Sequence, residues 1–181
     1  MKIPLSDRLL SCCRFVKPGD RVADVGCDHG YLGIYLLKNN IASHVIASDI
    51  NEGPLNAAVF NSEKFGVRDR IQFFMSDGVR NIPREFDTVV CAGMGGDTMI
   101  SILEAAPWLK EGNYRLILQC QSKRPELRKY LYEQGYTTQS ETLAQDGKFI
   151  YPVMEVAYCP SEPLTAAGYH ISPALLNCDS P

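Results

Sequence analysis

The sequence predicts an α/β protein built on an open, largely parallel sheet, and three observations lead there. Short β-rich runs alternate five times with longer stretches of helical periodicity, the pattern of strands joined by crossover helices. Several of those runs end in glycine- or aspartate-rich loops, the place where such sheets bind ligands. After Gly135 the alternation stops, and two strand-like runs flank the turn signal Asp146-Gly147, as in an antiparallel hairpin.

A leading helix carries Arg8 and Leu9, and the turn signal Pro18-Gly19 precedes a first strand over residues 21–25. Residues 30–39 place Leu32, Ile34, Leu36 and Leu37 in a buried helix, and residues 44–48 form a second strand that stops at Asp49. Residues 54–65 begin with a proline, tolerated in a first helical turn, and set Leu55, Ala58, Val59 and Phe65 on one side. A third strand over residues 70–75 is closed by Ser76-Asp77-Gly78. Residues 87–92 form a fourth strand, apolar without a break from Val89, which predicts a central strand covered on both faces. Asp97 is placed as the cap of the helix bearing Met99, Ile100, Leu103 and Ala106. Residues 115–120 form a fifth strand, and residues 125–134 an amphipathic helix ended by Gly135. The hairpin comprises residues 142–144 and 149–158; past Pro160 the composition turns to Pro, Ser, Ala and Gly without a period, which reads as a loose extension or the start of a further element.

Composition narrows the function. The 181 residues suit one domain, and 45% hydrophobic with 22% charged residues excludes a disordered or collagen-like chain. No apolar run approaches the roughly 20 residues of a membrane span, and the N-terminus lacks a secretory apolar stretch, so a cytoplasmic protein without membrane contact is expected. A net charge of -3 gives no bulk support to nucleic-acid binding and leaves only a local basic face for it. The seven cysteines include no C-x-x-C pair and the three histidines are dispersed, so structural thiols and no metal site are expected.

The strand ends carry the chemistry. The first loop runs Asp24-Val25-Gly26-Cys27-Asp28-His29-Gly30, and its glycines let a ligand approach the main chain. A dinucleotide fold wants G-x-G-x-x-G here, but Asp28 holds the middle glycine position and its charge repels a pyrophosphate while favouring an ammonium or a sulfonium. Asp49 ends the second strand, where a carboxylate can accept both ribose hydroxyls of a nucleoside. Asp77-Gly78 follows the third, where a carboxylate can accept an adenine amine, although Asp-Gly is also an ordinary turn. The fourth strand runs into Ala92-Gly93-Met94-Gly95-Gly96, which lets backbone lie against a flat ligand, and Gln119 to Ser122 add polar groups at the same edge.

With these residues assembled, the chain resembles the bacterial tRNA (adenine-22 N1)-methyltransferases, a Rossmann-like class I family using S-adenosylmethionine. The resemblance rests on Asp24-Val25-Gly26-Cys27-Asp28-His29-Gly30-Tyr31-Leu32 and Ala92-Gly93-Met94-Gly95-Gly96. It extends to Leu5-Ser6 with Arg8-Leu9, Ala47-Ser48-Asp49-Ile50-Asn51, Asp77-Gly78 and Leu116-Ile117-Leu118-Gln119, covering about residues 5–158. The chain departs from the family at Cys120-Gln121, where Pro-Asn is usual, and at Tyr151-Pro152, where Tyr-Glu is usual.

The resemblance implies a mostly parallel seven-stranded sheet with a C-terminal antiparallel hairpin strand and helices on both faces. It implies a methyltransferase domain over residues 1–160 and a tail, 161–181, that opens a helical arm continuing beyond this chain. It further implies methyl transfer to adenine N1 of tRNA, with the base unpaired or flipped to expose its Watson–Crick edge. Arg8, Asp24, Gly26, Cys27, Asp28, Gly30, Asp49, Ile50, Asp77, Gly78, Ala92 and Gly93 are the expected cofactor-binding residues, and Asp28, His29 and Met94 the catalytic candidates. Without the arm, tRNA is expected to bind weakly. A methyltransferase acting on a small molecule or protein, and a non-catalytic nucleoside-binding module, are the alternatives; oligomeric state is left open.

Overall fold

A computed structural model describes residues 2–176. Its strands are β1 (Asp20–Val25), β2 (Ala42–Asp49), β3 (Ile71–Met75), β4 (Thr88–Met94), β5 (Arg115–Cys120), β6 (Tyr136–Asp146) and β7 (Phe149–Tyr158). They form one sheet in the order β3-β2-β1-β4-β5-β7-β6, with β1 to β5 parallel and β7 antiparallel to both β5 and β6. The helices are α1 (Asp7–Phe15), α2 (Tyr31–Lys38), α3 (Glu52–Lys64), α4 (Gly96–Glu104), α5 (Arg124–Glu133), α6 (Ala166–His170) and α7 (Pro173–Leu176).

Alternating strand side chains feed two cores. Val22, Val45, Val90 and Ile117 pack with Cys12 and Cys13 of α1 and Leu36 and Leu37 of α2. Ala23, Val89, Cys91, Leu116 and Leu118 face the other way, onto Met99 and Leu103 of α4 and Leu127 and Leu131 of α5. Burial on both faces explains the unbroken apolar runs of β4 and β5, each fully buried aliphatic side chain contributing about 1.5–3 kcal/mol.

Four local expectations change. Glu52, not Pro54, begins the third helix, with Asn51 at its cap position, and Pro54 sits within its first turn, where the missing N–H has no intrahelical partner to lose. Gly95 occupies the cap position of α4; Asp97 lies in its first turn and pairs instead with Lys123. The hairpin's first strand starts at Tyr136 rather than Thr142, because Gly135 (φ +83°) turns the chain directly out of α5. Past Pro160 the chain does not run loose: α6 and α7 fold back on α5 and β6, while residues 177–181 of the expected tail lie outside the described residues. One buried ion pair holds this return. Arg128 of α5, 2% exposed, pairs with Glu141 of β6, 1% exposed, and donates to the carbonyls of Tyr169 and His170 at 3.2 Å each. The other carboxylate oxygen of Glu141 accepts from the Ser172 hydroxyl.

Candidate functional site

The sheet order reverses at β1 and β4, whose carboxyl ends diverge to leave the crevice in which open α/β sheets take ligands. A cavity of about 300 Å3 occupies it. One wall is the loop from β1 to α2. Gly26 and Cys27 donate to the Ser48 carbonyl at 2.8 and 2.9 Å, which pins this loop to the end of β2. Both of its ends have a left-handed backbone that favours glycine. Gly26 has φ +68°, and a β-carbon there would overlap Met94 Cε across the cavity; Gly30 has φ +73° and would drive one to 2.9 Å from Ala58 Cβ.

Between them Asp28 adopts a left-handed backbone at φ 49° and donates its N–H to Asp49 Oδ2 at 3.2 Å. The other oxygen of Asp49 accepts from the Asn51 N–H at 2.9 Å, so this buried carboxylate ties together the ends of the first two strands. The side chains of Asp28 and His29 stand outward, with Oδ1 and Nε2 3.7 Å apart and both more than half exposed. Asp24 lies deeper, accepting from the Gly33 N–H at 3.3 Å. Burial pushes its carboxyl up to about 7, the Gly33 hydrogen bond opposing this and the neighbouring Asp49 reinforcing it. Burial likewise pushes the Cys27 thiol upward, and the Cys91 thiol to about 12, so both stay protonated and unreactive at neutral pH.

The opposite wall is the end of β4. Gly93 (φ +77°) donates its N–H to Gln119 Oε1 at 3.0 Å, and Arg8 of α1 reaches the same oxygen at 3.5 Å. The Arg8 Nε also pairs with Asp146 at 2.9 Å, so this helix, β5 and the tip of the hairpin meet over the cavity. Among the described residues no cluster of His, Cys, Asp and Glu could hold a metal ion. Two carboxyl groups, Asp24 and Asp28, face a single cation, Arg8, whose charge Asp146 already balances, which makes the cavity suited to a ligand that carries positive charge.

A methyltransferase-domain family matches residues 5–154. The tRNA (adenine(22)-N(1))-methyltransferase of Bacillus subtilis is 37% identical over 149 residues, 81% of this chain. This chain belongs to the tRNA (adenine(22)-N(1))-methyltransferase family. It spans 63% of the length of that Bacillus relative. The crystal structure of the Bacillus subtilis tRNA methyltransferase TrmK superposes with a TM-score of 0.86 at 31% identity, covering 95% of this chain and 76% of its own. A Streptococcus pneumoniae structure in complex with S-adenosyl-L-methionine superposes at 0.88 with 31% identity, covering 94% and 80%. The sheet is therefore the Rossmann-like methyltransferase fold that the sequence predicts.

Of the family-derived site residues, Arg8, Asp24, Gly26, Cys27, Asp28, His29, Ala92, Gly93 and Met94 converge on the cavity. Gly30 stands behind the loop against α3, and Asp49 beneath it. Ile50, Asp77 and Gly78 lie at the neighbouring ends of β2 and β3, outside the enclosed volume; Asp77 is paired with Arg80 at 3.4 Å, and Ile50 is 65% exposed. Three lining residues, Leu9, Tyr31 and Leu32, fall outside the expected set. Tyr31 and Leu32 open α2 immediately after the loop, a signal the motif itself carries. Asp146 is not legible from sequence at all, since only the fold brings it to Arg8.

Asp24 gives this site a pH signature. The folded protein retains the Asp24 proton up to about pH 7, whereas an unfolded chain releases it near 4, so the folded state binds more protons in between. Stability is therefore expected to fall as pH rises through that window, by at most about 4 kcal/mol for this group. Urea unfolding of the wild type and Asp24→Asn at pH 5 and pH 8 checks it: the variant should lack this loss, and parallel pH profiles would refute it.

Proposed function

We propose that this chain transfers a methyl group from S-adenosylmethionine to N1 of adenine 22 in tRNA, acting in the cytoplasm. The observation that carries the proposal is the acidic, phosphate-averse cavity at the β1/β4 divide, walled on one side by the Asp24 to Gly30 loop and on the other by Ala92 to Met94. The Bacillus relative bears the name of this activity, and the Streptococcus structure holds this methyl donor.

The residues present fit the donor. Its methionine end carries both an ammonium and a carboxylate, for which Asp28 on one side and Arg8 on the other are the complementary charges, and a bound ammonium would favour the ionised form of Asp24 beside it. Gly26, Cys27 and Gly93 bring main chain close to the methionine end, and Gly30 shapes the loop from behind. Asp49 is assigned to the ribose hydroxyls and Asp77 to the adenine amine. Ile50, beside the 64%-exposed Met75 at the end of β3, offers an apolar bed for the adenine ring. Bound here, S-adenosylmethionine supplies an electrophilic methyl group on a sulfonium.

The protein's own contribution is then chiefly alignment and exclusion of water, because adenine N1 is already a lone-pair nucleophile. Ala92, Gly93 and Met94 shape the face on which the acceptor base would lie, with Met94 packed across the cavity against Gly26. Asp28 and His29, exposed at its mouth, are assigned the proton that the methylated adenine amine gives up.

Methylation of unmodified tRNA with the modified base mapped is the deciding experiment, run beside a panel of small-molecule and protein acceptors. Methyl incorporation at N1 of adenine 22 is expected. Transfer only to another acceptor would establish a different methyltransferase, and donor binding without any turnover would leave a nucleoside-binding module. Asp28→Ala is expected to lower kcat by about 100-fold, the scale of a lost acid–base group, with a smaller change in donor affinity. Equal losses in the two would remove Asp28 from the chemistry.

A further inference from the structure

The hairpin of β6 and β7 outruns the sheet it belongs to. Gln119, one residue from the end of β5, lies opposite Val153 of β7, so residues 149–152 continue past the carboxyl edge while paired only with β6. Four residues at about 3.3 Å each make an overhang of about 13 Å. It rises beside the cavity, because Asp146 at its tip is the partner of Arg8.

The overhang presents an aromatic and basic surface. Phe149 is 55% exposed and Ile150 56%. Behind Phe149, with ring centroids 6.2 Å apart, stands Tyr151, which holds two guanidiniums: Arg124 at 5.7 Å and Arg8 at 6.0 Å from its ring centre. Arg124 also donates to the Ile150 carbonyl at 3.4 Å, and the Lys148 ammonium lies 5.3 Å from the Phe149 ring. Among the described residues neither Arg124 nor Lys148 pairs with a carboxylate, so their charge is available to an outside anion.

We propose that this overhang is a docking wall for single-stranded RNA, on which Phe149 stacks an unpaired base beside the target adenine while Lys148 and Arg124 take the adjoining phosphates. An exposed aromatic face flanked by uncompensated cations is the pairing that single-stranded nucleic acid recognises, the ring supplying sequence-tolerant stacking and the cations tracking the backbone. A wholly apolar tip would suit a protein partner better. The acidic overall charge is no obstacle to an RNA substrate, since two cations without a carboxylate partner among the described residues, Lys148 and Arg124, stand beside the cavity the acceptor must enter. The inference rests on the reading of tRNA as the acceptor.

The test compares the wild type with Phe149→Ala, Phe149→Trp and the double variant Lys148→Ala/Arg124→Ala. Phe149→Ala is expected to weaken tRNA binding roughly tenfold, measured by fluorescence anisotropy, and Phe149→Trp to restore it. The double variant should weaken it further at low salt and reduce the slope of log affinity against log salt by about one to two. Donor affinity by calorimetry should stay constant in all three, which separates the wall from damage to the fold. A Phe149→Ala protein that keeps wild-type tRNA affinity and methylation overturns the docking wall and leaves the proposed activity standing. Loss of self-association by sedimentation, with tRNA affinity unchanged, overturns it in favour of a second copy. A wild type that neither binds nor methylates tRNA overturns both readings.

Discussion

Replacing Asp49 with alanine is expected to lower affinity for S-adenosylmethionine by at least about 100-fold, while the protein still unfolds cooperatively. Two losses combine. The carboxylate is assigned two ribose hydroxyls, and hydrogen bonds to a charged group are worth about 1.5–3 kcal/mol each. It also holds the N–H groups of Asp28 and Asn51, so its removal loosens the Gly26 to Gly30 loop from β2 at the point where the methionine end would rest. Asp49→Asn separates these effects, since its amide oxygen can still accept from one main-chain N–H while the negative charge is gone. Calorimetric titration of the donor into both variants reads the result. Unchanged affinity in Asp49→Ala would refute the pocket assignment.

The second large effect lies far from any ligand. Arg128→Met should cost about 3–5 kcal/mol, because it leaves Glu141 as an uncompensated buried charge. Residues 166–176 lose two hydrogen bonds to Arg128 at the same time, so limited proteolysis should cut this segment sooner in the variant. Pairing the substitution with Glu141→Leu should recover much of the stability, since an apolar pair needs no desolvation of charge. Urea unfolding checks both. A single-variant loss below about 1 kcal/mol, the scale of a surface pair, would show that the network is solvated and does not secure the C-terminal segment.

These two sites differ in how far the sequence discloses them. Asp49 is legible because it stands where an apolar run stops, and the rule that ligands sit at strand ends gives that position meaning. The same rule locates the walls of the cavity at Asp24 to Gly30 and Ala92 to Met94. Arg128 and Glu141 are not legible, because charged residues in an amphipathic helix and a polar strand read as solvated groups; only the packing of α6 and α7 over them removes the water. The start of β6 is hidden for a related reason. Thr137, Thr138, Gln139 and Ser140 belong to an edge strand with one ladder, interrupted near Gln139, so they carry no apolar alternation. Helices as short as α6 and α7 have no period to detect. Asp97 looks like a cap in the sequence, but Gly95, two residues earlier, holds the cap position, the Gly96 N–H donates to the Ser122 carbonyl, and the Asp97 carboxylate pairs with Lys123.

The left-handed backbone of Asp28 has a consequence for how this protein responds to selection. Glycine would occupy φ 49° with less strain, by about 1 kcal/mol. Libraries screened only for heat resistance should therefore enrich glycine at residue 28, and libraries screened for methyl transfer should purge it. Enrichment in one screen and depletion in the other, at a single codon, would mark the place where this domain trades durability for chemistry.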